Sequence, residues 1–306
     1  MKVFVTGGTG AVGRHVIPAL IAAGHTVSAL ARTTEKAAMV TEQGATPQSV
    51  SIFDRAALTT VFTGHDAVAN LATSIPPMAH FFRAKAWRDN DRVRSEGSAA
   101  VVDAALAAGV SRLVKESVSM FYPDRAQTWI DEDVPTDSYP IALANIAAEV
   151  NAKRFGEAGR TAVVLRFGVF YGPGAAHSEV MLAQARHHIG FVLGSPDSYI
   201  SSIHVADAAS AVTAALHAPA GTYNVVDDEP LTKRDYAAAL AAATGKTMWL
   251  RGPGRGALIF GDRVTSLTRS LRVSNRRFRE ATCWAPRYAN ARDGLIATAQ
   301  VLQGSR

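Results

Sequence analysis

Residues Val3, Phe4 and Val5 run straight into Thr6-Gly7-Gly8-Thr9-Gly10-Ala11-Val12-Gly13-Arg14, and apolar residues then recur at helical spacing at Val12, Val16, Ile17, Leu20 and Ile21. No other stretch restricts the fold as strongly. A short apolar strand, a glycine turn and a helix in immediate succession form the first half of a βαβ unit. Glycine lets the backbone approach a phosphate closely, while the N–H groups and positive dipole end of the following helix face its charge. The glycines fall at positions 7, 10 and 13, a three-and-three spacing that differs from the two-and-three spacing of the G-x-G-x-x-G dinucleotide loop.

The same alternation continues down the chain. Gly24-His25 leads into a strand from Thr26 to Ala31, then a helix around Glu35 to Gly44 and a strand from about Thr46 to Phe53. Asp54 is placed to N-cap a helix from Arg55 to Thr63, and a strand over residues 66–72 follows. A long helix from about Val93 to Ala108 precedes a strand from Leu113 to Ser117. Strands and helices alternating in this way predict a doubly wound parallel sheet with right-handed crossovers. Pro18 predicts a kink in the first helix or one carbonyl left without its helical donor. Between Ile75 and Asp91 the pattern is irregular, and its aromatics Phe81, Phe82 and Trp87 either close over a site or pack beneath it.

With 306 residues and 48% hydrophobic content, the chain suits one large or two modest domains. No apolar run reaches the roughly 18 residues of a membrane span. The one cysteine, Cys283, excludes an intrachain disulfide and is expected to be buried. A fold beginning within the first residues leaves no room for a leader, so the expectation is a cytoplasmic protein.

The glycine loop reads TGxxGxxG; Asn70-Leu71-Ala72 closes the fourth strand; Ala108-Gly109-Val110-Ser111-Arg112 leads into the fifth. A long segment follows later, Leu165-Arg166-Phe167-Gly168-Val169-Phe170-Tyr171-Gly172-Pro173-Gly174. Together these resemble the short-chain dehydrogenase/reductase superfamily, in its extended or atypical branch of NAD-dependent epimerases and dehydratases. The resemblance implies an α/β Rossmann domain over residues 1–170 with a return segment at 199–218. It also implies a smaller, mixed C-terminal substrate lobe from 171–198 and 219–306, hydride exchange with a nicotinamide cofactor, a small-molecule substrate and a possible homodimer. The implied cofactor contacts are Gly7, Gly10, Ala11, Val12 and Gly13 at the phosphates, Ser51 in the adenine position, Leu71, Ala72 and Thr73 beside the ribose, and Phe167 toward the nicotinamide. After the second strand an NAD site places Asp or Glu, whereas an NADP site supplies an arginine for the 2′-phosphate. Ala31-Arg32 therefore favours NADP over NAD, although Arg32 also fits a solvated surface side chain.

The chemistry departs from the family. Its members use a tyrosine whose pKa is lowered by a lysine four residues on, with a serine binding the reacting oxygen. Here Ser117 and Tyr139 are the candidates, but the lysine position after Tyr139 holds Leu143. If Glu149 fixes the register instead, the pair becomes Ile141 and Asn145. Without that lysine a phenol titrating near about 10 is a poor base. Ser117 and Tyr139 are thus either catalytic or structural, and the alternative to an oxidoreductase is an NADP-binding sensor or interaction protein. Lys115 and Glu116 alternate along the fifth strand, so at most one faces the site.

His204 reads as a core histidine, and Ile200 stands where many epimerases hold a sugar diphosphate with arginine. The formal charge of +6 and the arginines at 263, 269, 272, 276, 277, 279, 287 and 292 favour anionic partners. No nucleic-acid module is visible and few aromatics interleave with them, so a solvated face or a small anionic substrate fits better than nucleic acid. His177, His187 and His188 lack the spacing of a metal site.

Overall fold

The computed structural model describes residues 1–77, 80–81, 83–190, 193–251, 254 and 265–304. Phe82, Arg263 and most of the basic loop at 251–256 lie outside the described residues. The chain forms two compact units, the first from residues 1–117, 141–166 and 208–223 and the second from 118–140, 167–207 and 224–306.

In the first unit β1 (Lys2–Thr6), β2 (Thr26–Leu30), β3 (Thr46–Gln48), β4 (Ala67–Asn70) and β5 (Arg112–Val118) pair in parallel in the order β5-β4-β1-β2-β3. The sheet reaches seven strands with Thr161–Phe167 beside β5 and Gly221–Val225 at the edge. It is the expected doubly wound Rossmann arrangement. The segment 222–226, which the sequence puts in the smaller lobe, thus supplies the edge strand. Val3, Phe4 and Val5 are fully buried, and Phe4 meets Phe62 edge-on at 4.7 Å inside a core that includes Leu58, Val68, Val101 and Phe155.

The helices form where their caps and apolar stripes dictate. Helix α1 (Gly13–Ala22) buries Val16, Ile17 and Leu20 and runs on through Pro18, which stays on the exposed face. The Arg14 carbonyl that Pro18 cannot serve accepts instead from the Gln43 amide, at 3.5 Å. Thr33 caps α2 (Thr34–Glu42), and Asp54 caps α3 (Arg55–Phe62) by accepting the Ala57 N–H at 3.0 Å. β3 stops earlier than its sequence suggests because Ser51 turns the chain, its hydroxyl and carbonyl accepting from the Phe53 and Asp54 N–H groups. The irregular stretch before the fifth helix is a short 3₁₀ turn, Ala84–Trp87, then α4 (Arg88–Arg92), a π-helical turn Val93–Gly97 and α5 (Ser98–Ala107). Phe81 and Trp87 pack each other at 5.0 Å, and the indole N–H is held by the Phe81 carbonyl. Helix α6 (Pro140–Glu157) completes this unit and packs on the π turn, with Asn151 donating to Ser95 and Ser98.

The second unit has its own core, in which Tyr171, Leu182, Leu231, Tyr236, Leu240 and Leu295 come together. Its C-terminal arginines hold carboxylates and rings of the same unit. Arg277 pairs with Glu132 and Asp133, Arg279 with Asp228, and Arg269 with Asp137, while Arg272 lies over Trp129 at 4.2 Å. The expectation for Cys283 fails: it is exposed, because it occupies the left-handed position, φ +56°, that ends the helix Arg276–Thr282.

Asp227 is buried in this unit, where Ser202 donates to its Oδ2 at 2.9 Å and Oδ1 has no partner. Burial pushes its carboxyl well above the ordinary range. The folded chain therefore keeps this proton to a higher pH than the unfolded chain, whose carboxyl titrates near about 4. Its stabilising effect is complete below that value and is lost as pH rises toward the folded pKa. Asp227→Asn is expected to melt above the parent protein at pH 8, the gap closing toward pH 5, in paired thermal denaturations. A gap independent of pH would refute the protonated carboxyl.

Candidate functional site

The loop after β1 is shaped by backbone crowding. Gly7 has φ +74°, and a Cβ there would stand 2.7 Å from the Leu71 carbonyl group. A Cβ on Gly13 would stand 2.1 Å from the Gly7 oxygen and 2.7 Å from Gly8 Cα. Gly10 is exposed, and a Cβ there would meet only the Gly7 oxygen, at 3.2 Å. Helix α1 opens at Val12 with no side-chain cap and no acidic residue in its first turn. The Arg14 and His15 N–H groups bond the Gly10 and Val12 carbonyls, and the positive dipole end is left without a side-chain partner. The strand order reverses between β1 and β4, and that switch point is where open α/β sheets bind ligands. Gly7, Gly10, Ala11, Val12 and Gly13 follow β1, and Leu71, Ala72 and Thr73 follow β4, so the fold brings these two predicted groups together. A glycine-rich cradle at an uncapped helix start fits the pyrophosphate of a dinucleotide.

The other predicted contacts are distributed as follows. Arg32 is exposed two residues beyond β2, and Ala31 before it is buried. Ser51 is half-buried with its hydroxyl held by the Phe53 N–H. Phe167 ends its strand fully buried, its ring 5.3 Å from Phe170 in the second unit.

Both catalytic candidates are engaged by the protein. Ser117, near the end of β5, is buried and donates to Glu149 Oε1 of α6 at 2.7 Å. Glu149 is gripped by Arg166 through two bonds, 2.9 Å to Oε1 and 2.7 Å to Oε2. The serine proton is therefore directed at the carboxylate. In the second unit Tyr139 donates to the Met120 carbonyl at 2.8 Å, and Arg269 lies over its ring at 4.7 Å. Burial outweighs that guanidinium and pushes the phenol up to about 12, the opposite of what a general base needs. On α6, Asn145 bonds the Ile141 carbonyl through its amide nitrogen and leaves its buried Oδ1 without a partner.

The residues on which alternation along the fifth strand gave least guidance prove the most unusual. Lys115 and Glu116 are both buried, so the strand places two opposite charges inside the unit. Lys115 lies opposite Asn70 in register, and Asn70 opposite Thr6, whose hydroxyl donates to the Asn70 side chain at 2.7 Å. Glu116 accepts from Arg94 of the π turn at 2.9 Å. Arg94 escaped notice because nothing in its local sequence marks a π turn. In the second unit His204 is buried between the rings of Tyr171 and Tyr288, at 5.3 and 4.5 Å, with Nδ1 facing the Ala206 N–H. Among the described residues no cluster of His, Cys, Asp and Glu could hold a metal, and no helix is long and apolar enough to cross a membrane.

The chain is similar to known proteins over almost its whole length. A 3-diazoavenalumate denitrifying reductase of a Streptomyces species is 32% identical over 311 residues, spanning 96% of this chain and 99% of that protein. Human epimerase family protein SDR39U1, solved with NADPH, superposes with a TM-score of 0.83 at 24% identity over 98% of this chain and 99% of its own. UDP-glucose 4-epimerase of Thermus thermophilus, solved with NAD, gives 0.82 at 23% identity over 100% of both chains. The model of the NAD dependent epimerase/dehydratase family matches residues 3–226, a span that begins at β1 and ends at the edge strand. With its glycine loop at the β1/β4 switch point, the chain belongs to the NAD-dependent epimerase/dehydratase family.

Proposed function

We propose that the protein is an NADP-dependent reductase of a small molecule that draws no proton from a tyrosine–lysine pair. The observation that carries this reading is the glycine-rich loop from Gly7 to Gly13, closed against a Cβ at Gly7 and Gly13, at an uncapped helix start, with exposed Arg32 after β2 in place of a carboxylate. Gly7, Gly10, Ala11, Val12 and Gly13 would hold the pyrophosphate, Arg32 the 2′-phosphate, Ser51 the adenine edge, and Leu71 to Thr73 the ribose. Phe167 would line the nicotinamide end. When bound, the dinucleotide supplies hydride. Ser117, held by Glu149, would then position the end of β5 without exchanging a proton, and Tyr139, held by the Met120 carbonyl, would serve the fold of the second unit. The reductase-named Streptomyces relative supports this reading: expulsion of dinitrogen from a diazonium group by hydride, R–N₂⁺ + H⁻ → R–H + N₂, requires no acid from the protein.

A second reading, a nucleotide sensor without turnover, is favoured by the same engagement of Ser117 and Tyr139. It predicts binding of NADPH with no oxidation of it in the presence of any diazo or carbonyl compound.

The test is a titration of cofactor-stripped protein with NADPH and NADH, followed by calorimetry. NADPH is expected to bind the more tightly, and Arg32→Ala to weaken NADPH by about tenfold, the size of one charge-assisted contact at an exposed site, while leaving NADH unchanged. Failure of both dinucleotides to bind would end the proposal; equal loss for both in Arg32→Ala would end the NADP assignment.

A further inference from the structure

One group of charges in the first unit serves neither the glycine loop nor the helix caps. Arg94, 2% exposed, donates from Nη2 to Glu116 Oε1 at 2.9 Å, and Lys115 Nζ lies 3.8 Å from Glu116 Oε2. Two cations thus share one carboxylate away from water. Arg94 Nη1 and Glu116 Oε2 are buried without a hydrogen-bond partner, and Lys115 has one long bond, 3.4 Å to the Asn70 carbonyl. Glu149 is already matched by Arg166. Asp91, its Oδ1 buried without a partner, adds a second acidic group near Arg94. An orphaned buried donor such as Arg94 Nη1 is costly, and one bound anion would remove that penalty.

The placement also points to a ligand. Lys115, midway along β5, lies level with Asn70, the last residue of β4, and the residue after Asn70 is Leu71, whose carbonyl crowds Gly7. Ligands of open α/β sheets occupy this end of the strands. Arg94 reaches the strand from a π turn, and π turns are often found at functional sites.

We propose that Arg94 and Lys115 bind a single carboxylate, the acidic group of the substrate. A single negative charge suffices for the two donors, and the neighbouring Glu116 and Asp91 oppose a dianion such as phosphate. Arg94 Nη1 donates to one carboxylate oxygen and Lys115 Nζ to the other, and Glu116 fixes the spacing of the two cations. Burial lowers Lys115 to about 8, and an added anion would draw it back up. The inference rests on the reading of the first unit as the dinucleotide domain of a reductase.

Sodium benzoate, with benzamide as its neutral counterpart and inorganic phosphate as a general anion, tests it by calorimetry and thermal denaturation of the full chain with and without NADPH. Benzoate is expected to bind and raise the melting temperature, benzamide and phosphate to do neither. Lys115→Met is expected to weaken benzoate by at least about tenfold, as loss of a buried charge-assisted bond does, while the NADPH response persists. Lys115→Arg should retain benzoate and carries the test if the methionine variant fails to fold. No benzoate binding to the parent protein, or binding unchanged in Lys115→Met, overturns the site and shows Lys115 to be a neutral amine. Phosphate acting as well as benzoate also overturns it. Benzoate binding without any NADPH response would instead strike the dinucleotide reading and leave the carboxylate site standing.

Discussion

Gly13→Ala is expected to weaken NADPH by at least about a hundredfold and to destabilise the fold by about 2–3 kcal/mol, the upper range for forcing extra volume into packed structure. The new Cβ would meet the Gly7 oxygen at 2.1 Å and Gly8 Cα at 2.7 Å. Both are backbone atoms of the loop, so no rotamer change relieves the overlap and the loop must open. Gly10→Ala is the internal control, because its Cβ would meet only one atom, at 3.2 Å, and a few tenths of an ångström relieve it. Urea denaturation and nucleotide titration of both variants settle the point. Parent-like NADPH binding by Gly13→Ala would show that the loop geometry is not what recognises the nucleotide.

Glu116→Leu is expected to cost about 3–5 kcal/mol, the usual loss when one partner of a buried ion pair is removed and the other is stranded. The stranded charges here are two, Arg94 and Lys115. Lys115 can shed its proton, since burial has already lowered it to about 8; Arg94 cannot. The double change Arg94→Met with Glu116→Leu is therefore expected to recover most of the loss, because the remaining lysine can become neutral. Equilibrium unfolding in urea measures all three proteins. A double variant no more stable than Glu116→Leu would mean that packing, not stranded charge, sets the cost.

How much of this was legible in the sequence depends on the range of the interaction. The β1 strand, the Asp54 cap and the glycine loop are local, written in consecutive residues or in contacts three apart, and they read correctly. Ser51 shortened β3 through an equally local turn, but its signal is one hydroxyl among many. The absence of YxxxK was visible, whereas the grip of Arg166 on Glu149, and hence the direction of the Ser117 proton, needs three elements brought together by the sheet. Alternation puts Lys115 and Glu116 on opposite faces of a sheet that is covered on both, and the π turn that brings Arg94 to Glu116 has no local sequence signal. Arg32 stands exposed just beyond β2, whereas Ser51 falls in a turn beyond the shortened β3.

The arginines near the C-terminus also bear on how the chain can be made. Strand Trp129–Ile130 pairs with Arg272–Val273, the Tyr122 carbonyl is held by Arg269, and Glu132 and Asp133 are met by Arg277. The stretch from 118 to 140 therefore emerges from the ribosome with its partners still about 140 residues from being synthesised, a delay of roughly ten seconds at common elongation rates. It must stay acidic and soluble while it waits. Nascent chains halted before residue 269 should expose it to protease, and release of the last segment, rather than formation of the glycine loop, would complete the second unit.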